Sequence, residues 1–353
     1  MEFSAPVPVP VPCLVVDHDG AGGEPCTTLL DISKGEQYQH HACDDAGSRR
    51  FRRWMTPHGW VLSWDTSTLA TFLWSPQTSD KIDLPPLTPE QEIPLHSACS
   101  LSGKPATAGS FTVVAVEPKD TVVWYCHVGG DATGGRGWVR HEYDMGSVTS
   151  PVVNGRSMQA KKFITRLTAV GGKFYFKSEG ELGVLDFSPA PVLASVPVPD
   201  IERPPRTTSM ALSFVELGGE LYLVTAFLHY DIGGATSVLG CGVYKLDLAG
   251  KRWRKVRDIG DRAFLMCPQY FGGCCSATAS GLRPNCVYWM GLCGDNLLRV
   301  FDIDGNGGTD HAVQDPCKGI SGSNRSQTKA SVPSSHRALF QVHKPQHNDN
   351  YLE

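Results

Sequence analysis

RDIGDRAFLMCPQYFGGCCSATASGLRPNCVYWMGLCG, residues 257–294, is the stretch whose reading decides the fold. It holds two apolar runs, AFLM at 263–266 and CVYWM at 286–290. Turn residues introduce each, Ile259-Gly260-Asp261 before the first and Arg283-Pro284-Asn285 before the second. A strand with one wet face is apolar only at alternate positions. Here both faces are apolar: Cys286, Tyr288 and Met290 point one way, Val287 and Trp289 the other. Short aromatic-rich runs bounded by Gly and Pro read as strands of a sheet covered on both sides.

Outward from this stretch the same pattern recurs. HGWVLSWD (58–65), LATFLWSP (69–76) and KIDLPPL (81–87) read as three short strands joined by tight turns. FTVVAVEP (111–118), TVVWYCHVGG (121–130) and WVRHEYD (138–144) form a second trio. A third lies at 163–178, 182–188 and 192–199, and a fourth at 210–228, 241–248 and 252–259. The opening stretch with LLRVFDID (297–304) supplies a fifth. Gly171-Gly172 recurs as Gly218-Gly219, a step of 47 residues. This kelch-like period predicts an all-β chain, a β-propeller of about six to seven blades built as three- to four-stranded antiparallel meanders. Two β-sandwich domains would need one-sided alternation, which these runs lack. CLVV (13–16) and TTLLDIS (27–33) complete a sixth blade or share a seventh with the C-terminal end.

The expected organisation is a Pro/Val-rich arm at 1–12, a propeller at 13–305, and a loop-rich segment at 306–353 with a closing strand near 336–343. Among 353 residues, 41% are hydrophobic, enough for a real core, and 37 glycines with 25 prolines suit many tight turns. A net charge of −4 removes the electrostatic footprint of a nucleic-acid binder. No apolar run is long enough for a membrane-spanning helix, so no membrane partner is expected. The N-terminus has no basic n-region, which makes the cytoplasm and/or nucleus the expected location. The twelve cysteines lack C-x-x-C spacing; Cys126, Cys241 and Cys286 fall in apolar runs and read as buried thiols. RRFRRW (49–54) reads as the one dense basic cluster, on a solvated strand edge.

Motifs for chemistry are sparse. Asp302, Asp304 and Asn306, with Asp310 at the ninth position, match the start of a calcium loop, but Val313 occupies the twelfth, where a bidentate carboxylate belongs. An Asx/Gly turn is the favoured reading. His40-His41 with Cys43, and Cys274-Cys275, lack the paired spacing of a zinc site. There is no G-x-S-x-G elbow and no phosphate-binding glycine loop. No catalytic residue, metal or cofactor is therefore expected. The loops at 127–141, 229–234 and 270–275 carry large residues, and Trp138, Arg140, Tyr230 and Tyr270 are the expected partner anchors. Packing between blades is the competing reading for Trp138 and Tyr230.

Gly260–Leu265 (GDRAFL), Ser276-Ala277 and Gly281–Tyr288 (GLRPNCVY) together carry a resemblance. So do Gly59-Trp60, Leu84-Pro85-Pro86-Leu87 and Gly172-Lys173-Phe174-Tyr175. Over roughly residues 13–305 the chain resembles the plant domain-of-unknown-function 295, or KIB-type, β-propellers, which are often attached to an N-terminal F-box. The resemblance implies a protein-interaction propeller that selects substrates for ubiquitination or holds a kinase. No F-box precedes the first blade, so Skp1 is not an expected partner, and the Trp and Pro that usually close such propellers are missing. The expected function is a non-catalytic protein-interaction propeller. The alternative is a propeller enzyme or small-ligand-binding protein with a polar central channel.

Overall fold

The structure, a computed structural model, describes residues 13–19, 25–31, 37–40, 51–75, 80–105, 108–117, 119–129, 137–150, 158–178, 180–187, 190–231, 236–266, 272–290, 298–304, 308–311 and 337–341. Side chains are described within 51–304, apart from residues 150 and 158. All described elements are strands or short 3-10 turns.

The chain winds through a series of small sheets. β1 (Cys13–Asp19), β2 (Pro25–Asp31) and β3 (Gln37–His40) form a meander. β4 (Phe51–Met55), β5 (Val61–Asp65), β6 (Thr71–Trp74) and β7 (Lys81–Leu84) form the next, in that order. β8 (Ala98–Leu101), β9 (Ser110–Val116), β10 (Val122–Gly129) and β11 (Val139–Glu142) follow, then a two-stranded ribbon of β12 (Ser147–Ser150) and β13 (Met158–Lys161). β14 (Thr168–Val170), β15 (Lys173–Ser178), β16 (Glu181–Phe187) and β17 (Pro191–Pro197) make another sheet. β18 (Ser209–Leu217), β19 (Glu220–Tyr230), β20 (Thr236–Asp247) and β21 (Arg252–Val256) make the one after it. The last consecutive sheet holds β22 (Arg262–Met266), β23 (Gly273–Ser276), β24 (Cys286–Met290), β25 (Leu298–Asp302) and β26 (Gly308–His311). β27 (Arg337–Gln341) returns to pair with β1, Cys13 opposite Gln341.

Five blades therefore have described side chains, and this corrects the expected ring of about six to seven. The sheet β27-β1-β2-β3 is described by its backbone pairing alone. Between neighbouring sheets, β4 touches β8, β8 touches β14, β14 touches β18 and β18 touches β23, so these strands lie innermost. Thr168 Oγ1 donates to the Phe214 carbonyl at 3.1 Å and Arg166 to the Leu212 carbonyl at 3.0 Å. Both numbers rise together, so β14 and β18 run side by side in the same direction.

Doubly apolar strands exist because each blade is covered on both faces by its neighbours. β5 and β24 are buried at every position. The alternation read from 257–294 is the alternation found: Phe264, Met266, Val287 and Trp289 pack with Val215, Val224, Ala226 and Val243 of the preceding blade. Ala263, Leu265, Cys286, Tyr288 and Met290 join Leu282 and Val300 on the opposite face. Burial of such side chains contributes roughly 1.5–3 kcal/mol each, which makes these inter-blade layers the main stabilising term.

The connectivity of that blade departs from a simple meander. β22 pairs with β24 in parallel, Ala263 opposite Cys286 and Met266 opposite Trp289. A parallel pair needs a crossover. The intervening chain supplies one by folding β23 back against β22, Ala263 opposite Cys275, before reaching β24. Cys274 and Cys275 thus lie on the innermost strand, not in a connecting loop. Asn285 fixes the end of the crossover. Its φ of 55° is left-handed, a conformation Asn tolerates better than most residues. Its side chain accepts from the Ile259 N–H at 3.0 Å and donates to the Arg257 carbonyl at 3.0 Å, while its own N–H donates to the Arg262 carbonyl. Asp261 accepts from Ser276 Oγ and from the N–H and hydroxyl of Thr278, all at 2.9 Å or less, which ties β22 to the turn after β23. These bonds hold the Asp261 carboxyl below the usual carboxylate range. Asp261 and Asn285 are turn-fixing residues.

Candidate functional site

One end of the innermost strands gathers charge from four blades. His58 lies in the 3-10 turn Pro57–Gly59 that leaves β4, Lys104 follows β8, Glu216 lies near the end of β18, and Cys274 is on β23. His58 and Cys274 each lie within electrostatic range of both Lys104 and Glu216. The turn at His58 demands two left-handed residues in succession, His58 at φ 72° and Gly59 at φ 78°. Half-buried and crowded by protein, the His58 imidazole is pulled down to about 4, first by burial and then by Lys104, with Glu216 opposing. The Cys274 thiol is pushed up to about 12, mainly by burial. At neutral pH the imidazole of His58 and the thiol of Cys274 are therefore both uncharged. Glu216 also accepts the Gly219 N–H at 2.8 Å, which fixes the Gly218-Gly219 turn. Sequence reading missed this constellation because its members are scattered over more than two hundred residues, in strand ends and turns of four different blades.

The His58 shift carries a sign. Its folded pKa lies below the unfolded 6.5, so between those values the unfolded chain binds more protons and stability rises with pH. As pH falls from about 6.5 toward about 4 the protein is expected to lose stability, by at most ~1.4 kcal/mol per pH unit from this group. His58→Asn tolerates the left-handed backbone and removes the titration. Urea midpoints measured across this window should fall less steeply for that variant; identical slopes would show that His58 is not the group responsible.

The expected partner anchors do not converge. Trp138 is 4% exposed and sits in the core between two blades, with Trp54, Leu73, Leu87 and Trp124. Its Nε1 donates to the Pro85 carbonyl at 2.9 Å, and its own carbonyl accepts from Gln91 Nε2 at 3.1 Å. This corrects its assignment as a surface anchor: no ring face is left for a partner. Arg140 lies on β11, the outermost strand of its blade, where it pairs with Glu142 and reaches over the Trp124 ring. Tyr270 lies outside the described residues. Tyr230 is 50% exposed at the end of β19.

Tyr230 owes its exposure to the length of its hairpin. β19 and β20 run for 11 and 12 residues, against 3 to 8 for strands of the other blades with described side chains. β18 accompanies β19 as far as Leu228, so His229 and Tyr230 run on past it, by roughly 7 Å at ~3.3 Å per residue. A register shift between Phe227 and Leu228 adds a bulge there. The base is held firmly. His229 Nδ1 lies 2.8 Å from the Arg206 carbonyl and its Nε2 lies 3.1 Å from Asp231, while the Tyr230 N–H donates to Thr208 Oγ1 at 2.8 Å. Leu239, on the facing strand, is 40% exposed. Since β19 runs from the Gly218-Gly219 turn to Tyr230, this tip lies at the opposite end of the blade from Glu216.

The calcium-loop residues resolve into a hairpin between β25 and β26. Asp302 accepts from the Arg283 guanidinium at 2.6 Å and lies 3.2 Å from Cys286 Sγ. Asp310 stands on β26 opposite Arg299, eight positions along the chain and across the hairpin. Asn306 lies outside the described residues, and Asp304 closes the turn after β25. No group of three or more His, Cys, Asp or Glu side chains suited to a metal occurs among the described residues. The thiols of Cys126, Cys241 and Cys286 are each pushed up to about 12 by burial, in keeping with structural thiols.

Two basic runs exchange roles. RRFRRW leads into β4, an innermost strand, where Arg52 pairs with Glu92 and stacks over Trp64; the solvated edge expected there is corrected. The basic edge is elsewhere, at KRWRKVR (251–257) on and around β21. No described helix is long and apolar enough to cross a membrane.

Comparison with known proteins adds one strong finding. The sequence profile of the KIB1-4 β-propeller family matches residues 29–347. Among curated proteins none matches the chain. Among solved structures, the Kuenenia stuttgartiensis hydrazine synthase aligns at 12% identity and a TM-score of 0.37, over 86% of this chain and 79% of that one. Dihydro-heme d1 dehydrogenase NirN in complex with DHE aligns at 14% identity and a TM-score of 0.27, over 86% and 60%.

Proposed function

The chain belongs to the KIB1-4 β-propeller family, and from that premise we propose that it is a non-catalytic protein-interaction propeller that acts in the cytoplasm or nucleus. Its partner is a protein; nucleic acid, membrane and Skp1 are not part of the reading. One observation carries it: the projecting β19–β20 hairpin, which presents Tyr230 and Leu239 to solvent on a backbone already held by Thr208 and His229. An exposed aromatic on a backbone already fixed by hydrogen bonds suits a hot spot because little backbone ordering entropy remains to be lost on binding.

The test is capture by the immobilised full chain from extracts of tissue that expresses it. Tyr230→Ser with Leu239→Ser should lose the captured partner while the urea midpoint stays within ~0.5 kcal/mol of the parent, as surface changes do. Retention of the same partner by this variant would overturn the assignment. A second reading, a small-ligand binder, is favoured by the convergence of His58, Lys104, Glu216 and Cys274. It predicts that denaturing the purified chain releases a small molecule that Lys104→Glu fails to retain.

A further inference from the structure

KRWRKVR, residues 251–257, puts five cations into seven positions, and all five are exposed. Trp253 and Val256 are the half-buried members, and Trp253 stacks on Phe214 with ring centroids 5.7 Å apart. These contacts hold the strand against its blade and leave the cations outside. β21 ends its sheet: it pairs with β20, Val243 opposite Val256 and Asp247 opposite Arg252, and with no other described strand. An end strand presents a row of unpaired N–H and C=O groups, ready to accept another strand.

Other outer strands neutralise or blunt that edge. On β7, Lys81 pairs with Asp83 at 2.9 Å; on β11, Arg140 pairs with Glu142. β17 has prolines at both ends, Pro191 and Pro197, which remove ladder donors. β21 keeps charge of one sign. Asp247 takes Arg254 at 2.5 Å and Arg252 at 3.4 Å, while Lys251, Lys255 and Arg257 have no acidic partner among the described residues. Because successive side chains alternate, Arg252 and Arg254 stand on one face of the strand and Lys255 on the other. A strand added here would meet cations on both of its faces. Like charge excludes a second copy of this edge, so the same residues that prevent self-pairing admit a strand of opposite sign.

We propose that β21 is a docking edge, which an extended acidic segment of a protein partner joins as a further strand of the sheet. The proposal rests on the protein-interaction reading but uses a different surface from the Tyr230 hairpin. Backbone pairing supplies the register, and Lys251, Lys255 and Arg257 select the charge.

The test uses the full chain and a fluorescein-labelled peptide of alternating glutamate and valine, followed by fluorescence anisotropy. The parent chain should bind it more weakly as salt rises. Lys255→Glu with Arg257→Glu should weaken binding by roughly tenfold or more. N-methylating alternate peptide bonds should weaken it to a similar degree, because the ladder is blocked. Circular dichroism and urea midpoints confirm that the variant is folded. Unchanged binding by either the variant or the N-methylated peptide would overturn the docking edge, as would equal competition from oligo-dT, which shares only the charge. Failure here with partner capture still dependent on Tyr230 and Leu239 would remove the edge and leave the interaction reading standing. Peptide binding with capture independent of that hairpin would do the reverse.

Discussion

Trp138→Ala is expected to destabilise the protein by ~3–5 kcal/mol, the range for emptying a buried aromatic site. The indole fills the layer between two blades beside Trp54, Leu73 and Trp124. Its Nε1 donates to Pro85, in the Leu84-Pro85-Pro86-Leu87 segment that follows β7. Thr71 Oγ1 donates to the same carbonyl, so one acceptor ties β6, β7 and β11 together. Trp138→Phe keeps most of the apolar burial and loses the N–H donor, which should cost only ~1 kcal/mol because the Thr71 hydroxyl still satisfies the carbonyl. Urea denaturation of the two variants separates the terms. If Trp138→Ala folded with an unchanged midpoint yet failed to capture a partner, the residue would be a surface anchor and the inter-blade placement would be wrong.

Trp289→Ala should be equally severe, again ~3–5 kcal/mol. Trp289 is 1% exposed, stands opposite Met266 in the parallel β22–β24 pair, and faces Val215, Val224 and Val243 of the preceding blade. Its loss opens a cavity at the layer between two blades, so it should loosen both. Hydrogen exchange offers the sharper check: amides of β19 and β24 should lose protection together in the variant. Loss confined to β24 would mean that the two blades do not share this layer.

The stretch at 257–294 shows how far local pattern reaches. Its two-faced apolar runs, the direction of each side chain along them, and the turn roles of Asp261 and Asn285 were all legible. They depend on the period of the strand and on which residues accept turn geometry, and both are local properties. The parallel pairing of β22 with β24 was not legible. A strand's own alternation is the same whether its neighbour runs with it or against it, and only the fold-back of β23 decides that choice. Cys274 and Cys275 were misplaced for the same reason.

The two basic runs make the same point from the functional side. RRFRRW and KRWRKVR both mix cations with an aromatic, yet the first lies at the centre, with Arg52 on Glu92 and Trp64, and the second lies on an open edge. Composition could not separate them, because exposure is conferred by the neighbouring strand and not by the run itself. Tyr230 was read as a loop residue; that β19 continues through it, leaving it 50% exposed, could not be told from sequence because one long strand reads like two adjoining shorter ones.

By itself the sequence determined an all-β propeller, its repeat, its family and the inward or outward sense of its strands, because period and turn chemistry act over a few residues. Tertiary structure alone decided which strands lie innermost, which edge stays open, and that His58, Lys104, Glu216 and Cys274 meet. Those outcomes depend on pairings between residues far apart in the chain, whose free energy comes from burial and charge that exist only once the blades are packed.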